Sequence, residues 1–271
     1  MPELPEVETT RRGIERLVRR RVITAVTIRR GDLRFPVSAD LGEITGCRIG
    51  EVRRRSKYLL MDVSDGSTIL LHLGMSGSLR VVPLAAEWRK HDHIGISLSG
   101  GKQLRFHDPR RFGLVLRLHG PPEEHPLLRN LGPEPLDDAF TTEVLRKQLS
   151  RRVTPIKLAL MDAKTVVGVG NIYASEALFR AGIRPSVSSA KLSKPRVAKL
   201  VEAIRAVLTE SIEAGGTTLR DFVGSSGEPG YFKQHLFVYG RKDEPCLICG
   251  TPVRHAVVGG RSTYWCQKCQ R

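Results

Sequence analysis

The sequence has no membrane-spanning run and no secretory signal, and it has few acidic residues. No apolar run approaches the roughly 18 residues of a membrane-spanning helix, so we expect no membrane association. The chain begins with prolines and acids instead of a basic stretch and an apolar core, which predicts no secretory signal and a cytoplasmic location. Acidic residues are also scarce, 28 against 44 lysines and arginines, giving a formal net charge of +16. That imbalance predicts a polyanionic partner, nucleic acid first.

Cysteine is sparse too, but four of the five cysteines lie together near the C-terminus. Two CxxC pairs separated by 16 residues match the spacing of a zinc site, and four thiolates leave no open position on the metal. We therefore predict one structural Zn²⁺, no disulfides, and an insert that forms a hairpin. The ligands are Cys246, Cys249, Cys266 and Cys269. The remaining residue, Cys47, is expected to be an ordinary buried apolar side chain.

Hydrophobic periodicity predicts an α+β protein. Residues from Glu3 to about Arg20 have helical spacing, and short alternating runs from Val22 to Leu118 indicate a β-sandwich or barrel. Helical patterns follow a proline- and glycine-rich connection, and Asn171 is a plausible N-cap for one of the helices. We predict a helix plus β-domain over 1–119, a linker over 120–135, a helical domain over 136–240 and the zinc finger over 241–271.

The first residues carry two compatible interpretations. If Met1 is removed, Pro2 becomes a free secondary amine beside the Glu3 carboxylate. An α-amino group has a pKa of about 8, so a useful fraction is an unprotonated nucleophile that can form a Schiff base. Alternatively, prolines and acids simply suit the first turn of a helix. A helix start would also hold such an amine in place.

The sequence resembles the formamidopyrimidine-DNA glycosylase family along nearly its whole length. The resemblance is carried by motifs whose order and spacing are too specific for chance. They are residues 2–9 (PELPEVET), 55–59 (RSKYL), 72–77 (HLGMSG), 90–93 (KHDH), 108–113 (DPRRFG), 168–173 (GVGNIY), 230–232 (GYF), 239–241 (YGR) and the cysteine pairs.

This resemblance implies an N-terminal β-sandwich domain with an N-terminal helix, a helix–two-turn–helix domain and a C-terminal zinc finger. It implies base-excision DNA repair by a bifunctional glycosylase and AP lyase that removes oxidised purines, namely 8-oxoguanine and formamidopyrimidines. The partner is double-stranded DNA containing such lesions or abasic sites. We further expect a monomer associated with the nucleoid.

The resemblance also implies residue roles. Pro2 attacks C1′ of the damaged nucleotide, and Glu3 serves as acid and base with Glu6 in support. Lys57 lies near the lesion phosphate and donates a proton during elimination. Arg261 contacts phosphate and assists the second elimination, which cleaves the strand on the 5′ side of the lesion.

Further residues are expected to bind the DNA around the lesion. Met75, Arg110 and Phe112 fill the void left by the extruded base, with Arg110 pairing to the orphaned cytosine. His91 and Asn171 contact lesion phosphates. The chain departs from the family pattern at Val153, where other members can be lysine-rich, so Arg152 and Lys157 are assigned to this DNA contact. Residues 225–231 resemble the loop that closes over 8-oxoguanine.

Two alternatives remain open at this stage. A sister enzyme of the endonuclease VIII type would prefer oxidised pyrimidines and shares Pro2, Glu3 and Lys57. A non-catalytic zinc-ribbon protein could retain the scaffold and bind DNA without cleaving it.

Overall fold

The structure, a computed structural model, describes residues 2–150, 152–215 and 236–271. The described residues form two compact units, one extending from the N-terminus through Arg129 and the other comprising Asn130–Glu213 with the C-terminal part from Leu236. This division falls inside the predicted 120–135 connection, and the finer four-part division stays a prediction. No helix among the described residues is long and apolar enough to cross a membrane.

The first unit begins with helix α1, Leu4–Val18. Its apolar residues recur at helical spacing, and Leu4, Val7, Ile14 and Val18 are all buried. The opposite face carries the arginines, which stay at least partly exposed. The helix therefore packs one stripe onto the β-strands and leaves its cationic stripe towards solvent.

Eight antiparallel strands follow and form two four-stranded sheets. One sheet has the order β1-β6-β7-β5 and the other β2-β3-β4-β8. The strands are β1 (Ile23–Ile28), β2 (Ile49–Arg55), β3 (Tyr58–Val63), β4 (Thr68–His72), β5 (Ser78–Pro83), β6 (Asp92–Leu98), β7 (Lys102–His107) and β8 (Leu114–Leu118). Side chains of both sheets and of α1 share one hydrophobic core, as expected for a β-sandwich.

Strand β2 is the element that periodicity indicated least clearly. It contains Glu51 and three consecutive arginines, Arg53, Arg54 and Arg55, and only Ile49 and Val52 are buried. The strand lies at the edge of its sheet, where charged residues are tolerated because one side of the backbone is not paired.

In its described part, the second unit contains four α-helices: α2 (Thr142–Leu149), α3 (Ile156–Met161), α4 (Asn171–Arg180) and α5 (Lys194–Glu213). The prediction that Asn171 caps α4 was wrong. Gly170 is the N-cap, in an extended conformation with φ −112° and ψ −156°, and Asn171 is the first helical residue. The Asn171 amide instead donates to the Tyr239 hydroxyl at 3.4 Å.

The chain ends in a two-stranded antiparallel hairpin, β9 (Arg254–Val258) and β10 (Arg261–Trp265), as predicted for the cysteine insert. A small core joins the hairpin region to the helical body through Phe179, Val238, Val253 and two of the cysteines. The α+β prediction of sandwich, helical domain and finger is therefore confirmed.

Candidate active site

The start of α1 is a buried, tightly capped segment. Glu3 is the N-cap residue and forms a capping box with Glu6, whose carboxylate accepts the Glu3 backbone N–H at 2.8 Å. Pro5 occupies the first turn, where its missing N–H costs nothing. Pro2 and both carboxylates are buried, with Glu3 only 2% exposed. Both interpretations of this segment therefore describe the same geometry: a helix start that fixes Pro2 beside a carboxylate.

A cluster of arginines around Glu8 connects α1 to the neighbouring sheet. Glu8 pairs with Arg11 and Arg12 on its own helix, and with Arg54 of β2 at 3.3 Å. Burial alone would raise the pKa of Glu8, but the hydrogen bonds from Arg11 and Arg12 lower it overall, so the carboxylate stays ionised. Arg54 also donates to the Ser56 carbonyl at 3.0 Å. The helix that carries Pro2 and Glu3 is thereby tied to the turn that carries Lys57.

Lys57 lies in the two-residue turn between β2 and β3. Ser56 adopts φ 57°, a conformation with positive φ that tight hairpins require, and Lys57 is half-buried. The Lys57 ammonium is close enough to His72 to affect it. Burial first, and then the charges of Lys57 and Arg34, lower the pKa of His72 to about 4.

His72 lies next to these residues, although the sequence predicts no role for it. Its Nδ1 accepts the backbone N–H of Gly74 at 3.0 Å, and its ring lies 4.9 Å from that of Tyr58. The neutral imidazole thus connects the Lys57 turn to the loop that carries Met75. Its position in the 72–77 motif was the available signal, but nothing in the sequence indicates that Lys57 lies beside it.

The residues expected to fill the void belong to two loops whose backbones approach closely. Gly74 has φ 67°, and a Cβ there would lie 2.5 Å from the carbonyl carbon of Phe112 and the nitrogen of Gly113. Met75 follows this contact and is half-buried, whereas Phe112 is 45% exposed. The Arg110 guanidinium lies 5.0 Å from the centre of the Phe112 ring. The structure therefore brings Met75, Arg110 and Phe112 together.

Asp108 holds these two loops in place, a role that no local pattern in the sequence indicates. It is fully buried, accepts the Gly113 N–H at 2.8 Å, and accepts the Ser76 hydroxyl at 3.4 Å. Its carbonyl oxygen also lies 2.8 Å from Nε2 of His93. One carboxylate thus joins the Met75 loop to the Phe112 loop.

His91 lies in a small group of histidines beside the same loop. Its ring centre is 6.2 Å from that of His93 and 5.9 Å from that of His107, and its carbonyl accepts the Asp108 N–H at 3.0 Å. Burial lowers the pKa of His107, although Asp92 opposes that shift from 2.9 Å. His91 is half-buried and follows the exposed residue Lys90.

In the second unit, the residues expected on DNA have different surroundings. The Arg152 guanidinium pairs with the Asp162 carboxylate at 2.5 Å, whereas Val153 is 86% exposed. Lys157 is fully buried, and its ammonium donates to the Ser262 carbonyl and the Thr263 hydroxyl, each at 2.8 Å. Arg261 is the first residue of β10 and is exposed. The expected DNA contacts of Arg152, Lys157, Asn171 and Arg261 stay predictions.

The four cysteines fit one tetrahedral metal ion. All four sulfurs lie within 4.8 Å of one another, with Cys246 and Cys269 3.9 Å apart and Cys249 and Cys266 3.5 Å apart. Tetrahedral Zn–S bonds of about 2.3 Å require sulfurs about 3.8 Å apart. Cys47 lies apart from this group and packs, half-buried, against the sandwich core. Residues 225–231, expected to form the lesion-covering loop, lie outside the described residues.

Three family models match successive parts of the chain. The formamidopyrimidine-DNA glycosylase N-terminal domain matches residues 1–115, the H2TH domain of the same enzyme matches 131–223, and the zinc finger found in FPG and IleRS matches 243–271. The finger match and the sulfur geometry agree, so the four cysteines form a site for one structural zinc ion.

Relatives and solved structures match over the full length. The formamidopyrimidine-DNA glycosylase of Thioalkalivibrio sulfidiphilus is 57% identical, and that of Methylococcus capsulatus 55%, each over 100% of both chains. The crystal structure of the MutM (Fpg) protein from Thermus thermophilus has a TM-score of 0.90 and 40% identity, covering 99% of this chain and 98% of that one. A complex of Lactococcus lactis Fpg with DNA containing Fapy-dG has a TM-score of 0.89 and 31% identity, covering 99% and 100%.

Proposed function

The chain belongs to the formamidopyrimidine-DNA glycosylase family, and from that membership we propose that it is a base-excision repair enzyme that removes oxidised purines from double-stranded DNA. One observation carries the proposal beyond the resemblance. Arg54 ties the helix start that contains Pro2 and Glu3 to the turn that contains Lys57. The Pro2 nitrogen, proposed as the amine nucleophile, the Glu3 carboxylate and the Lys57 ammonium therefore belong to one compact unit.

Base removal begins with the unprotonated amine of Pro2. The amine forms a bond to C1′ of the damaged nucleotide and passes its proton to the Glu3 carboxylate, while the bond between C1′ and the base breaks. The base leaves with that electron pair and gains a proton from water. Glu3 then donates a proton to O4′ as the sugar ring opens, which leaves a Schiff base whose nitrogen carries a fixed positive charge. The buried, capped position of Glu3 supports this role because it fixes the carboxyl group beside the amine.

We propose that the chain is also an AP lyase. The cationic Schiff base draws electrons, so loss of a C2′ proton expels the 3′ phosphate. Loss of the C4′ proton then expels the 5′ phosphate and leaves a gap. Lys57 supplies a proton during elimination, and Arg261 neutralises charge on a departing phosphate. Glu6 supports the site through its bond to the Glu3 backbone.

Access to the lesion requires the nucleotide to leave the helix stack, which costs a few kcal/mol. We propose that Met75 and Phe112 occupy the vacated space and that Arg110 hydrogen-bonds the orphaned cytosine. Their common location, fixed by the Gly74 contact and by Asp108, supports this assignment. Phe112 is 45% exposed, so its ring is available to insert between bases.

Phosphate contacts are assigned to His91, Arg152 and Asn171 in addition to Arg261, whereas the fully buried ammonium of Lys157 is bonded within the protein. The net charge of +16 supports binding that weakens steeply with salt, since each phosphate contact releases counterions. The zinc ion supplies structure only, because four thiolates leave no position for water or substrate. Action on chromosomal DNA implies a nucleoid location.

Borohydride trapping tests the proposal. The chain, with removal of Met1 verified by mass, is mixed with duplex DNA containing 8-oxoguanine opposite cytosine, and borohydride reduces any Schiff base to a stable adduct. We expect an adduct with the processed chain and none with a matched chain whose N-terminal extension converts the Pro2 nitrogen into an amide. DNA binding without an adduct would support a non-catalytic binder. Faster excision of thymine glycol than of 8-oxoguanine would support the pyrimidine-specific sister enzyme.

A further inference from the structure

The fully buried ammonium of Lys157 joins α3 to the zinc-finger hairpin. It donates to the Ser262 carbonyl and to the Thr263 hydroxyl, both at 2.8 Å and both on β10. A buried ammonium is costly unless it is well hydrogen-bonded, so these bonds hold the strand firmly against the helix. Ser262 and Thr263 directly follow Arg261 in the chain.

Thr263 extends this connection to Arg261. Its buried hydroxyl donates to the Arg261 carbonyl at 3.0 Å. An ammonium can only donate, so the Thr263 oxygen must accept from Lys157, and its single proton is then directed at Arg261. The bonds therefore have one direction, from Lys157 through Thr263 to the backbone of Arg261.

The turn of the hairpin is held by the same short helix. Gly259 has φ 56°, and a Cβ at this position would lie 2.6 Å from a methyl carbon of Leu158. Lys157 and Leu158 are consecutive in α3, and they contact the hairpin on either side of Arg261 in sequence. The backbone of Arg261 is thus fixed from both directions while its side chain remains exposed.

We propose that Lys157 and Thr263 are positioning residues for Arg261, acting through the hydrogen-bonded chain between them. The inference rests on the proposed function, in which Arg261 contacts a phosphate and assists the second elimination. It gives Lys157 a different role from the direct DNA contact expected from the sequence. The zinc ion shapes the finger, and α3 sets where the finger presents its arginine.

The principal variant is Thr263→Val, which removes the hydroxyl and keeps the shape of the side chain. Thr263→Ser restores the hydroxyl and serves as the rescue. Thr45→Val is the matched control, because the Thr45 hydroxyl also donates to a nearby carbonyl, that of Gly42 at 2.9 Å, but belongs to the first unit. Zinc content and thermal unfolding of each full-length chain establish that it is folded.

The first readout is how the cleavage products divide under single-turnover conditions. With 8-oxoguanine duplex, one elimination leaves a nick and two leave a gap. We expect Thr263→Val to slow the second elimination about 10-fold relative to the first, because small displacements of a catalytic group have large effects on rate. Thr263→Ser and Thr45→Val should divide the products as the unmodified chain does. An unchanged division in Thr263→Val would overturn the proposal.

The second readout is a double-mutant cycle in DNA binding, which does not require catalysis. Affinity for a duplex containing an abasic analogue is measured against salt for Thr263→Val, Arg261→Ala and the combination. If Thr263 acts through Arg261, the combination should bind like Arg261→Ala alone, about 3- to 10-fold more weakly than the unmodified chain. If the losses of affinity caused by Thr263→Val and Arg261→Ala are additive, Thr263 does not act through Arg261 and the proposal is contradicted. If the unmodified chain binds but never forms a borohydride adduct, the proposed function fails and this cycle still decides the inference.

Discussion

Replacing Asp108 tests whether one buried carboxylate holds together the two loops that are proposed to fill the void. Asp108→Ala leaves the Gly113 N–H and the Ser76 hydroxyl without their acceptor in a fully buried position. An unsatisfied buried group costs about 1–3 kcal/mol, and the 3.4 Å bond to Ser76 is the weaker of the two. We therefore expect Asp108→Ala to lower the free energy of unfolding by about 2–4 kcal/mol. Asp108→Asn keeps one acceptor oxygen, so its loss should be about 1 kcal/mol.

The functional consequence should depend on the DNA substrate. Filling the void matters only when a base has been extruded from a duplex. We expect Asp108→Ala to excise 8-oxoguanine from duplex DNA at least about 10-fold more slowly, because misplacement of groups that position a substrate has large effects. Borohydride trapping on a single-stranded abasic site, which has no void, should change by less than about 2-fold.

Two measurements test this prediction. One is the free energy of unfolding in urea, and the other is the rate of 8-oxoguanine excision from duplex DNA divided by the rate of borohydride trapping on the single-stranded abasic site. Asp62→Ala is the matched control, since Asp62 pairs with Arg53 at the surface and should contribute less than about 1 kcal/mol. Equal losses on both substrates would mean that Asp108 supports the unit as a whole. A stability change within about 0.5 kcal/mol would refute the reasoning about buried bonds.

The other predictions concern the metal, one histidine and one glycine. Chelating zinc, or replacing Cys266 by Ala, should abolish DNA binding while the β-sheet signal in circular dichroism is retained. The reason is that the cores of the finger and the sandwich are built from different residues. Simultaneous loss of DNA binding and of the β-sheet signal would contradict this prediction. The pKa of His72 is lowered to about 4, so the unfolded chain binds more protons as pH falls below about 6.5. Between pH 7.5 and 5, the free energy of unfolding of the unmodified chain should therefore fall by about 2 kcal/mol more than that of the His72→Gln variant. Parallel pH profiles of the two proteins would refute this prediction. Gly74→Ala should cost more than about 2 kcal/mol in chemical denaturation, because φ is 67° and the new Cβ would clash with the backbone of Phe112 and Gly113.

Patterns that depend on neighbours in the chain were readable from the sequence. The CxxC pairs predicted the metal site because a metal needs its ligands at fixed local spacing. The prolines and acids predicted the start of α1, and alternation predicted short strands between Val22 and Leu118, where β1 to β8 are observed. Strand β2 was harder to predict because its arginines and Glu51 hide the alternation, and only its edge position explains why they are tolerated.

Contacts between residues distant in sequence were not readable, and they decide much of the site. The residue type of Lys157 predicts an exposed cation, yet the ammonium is buried because β10, more than 100 residues later, supplies its acceptors. In the sequence, Asp108 is only one residue of a loop motif, and the tertiary structure is needed to show that its carboxylate accepts a hydrogen bond from Ser76. The sequence by itself determined most of the elements and the site of the zinc ion, and it predicts the nucleophile that the chain can offer. Only the tertiary structure decided which charged groups are buried and what they hold, because the free energy of a buried charge depends on partners that local sequence does not specify.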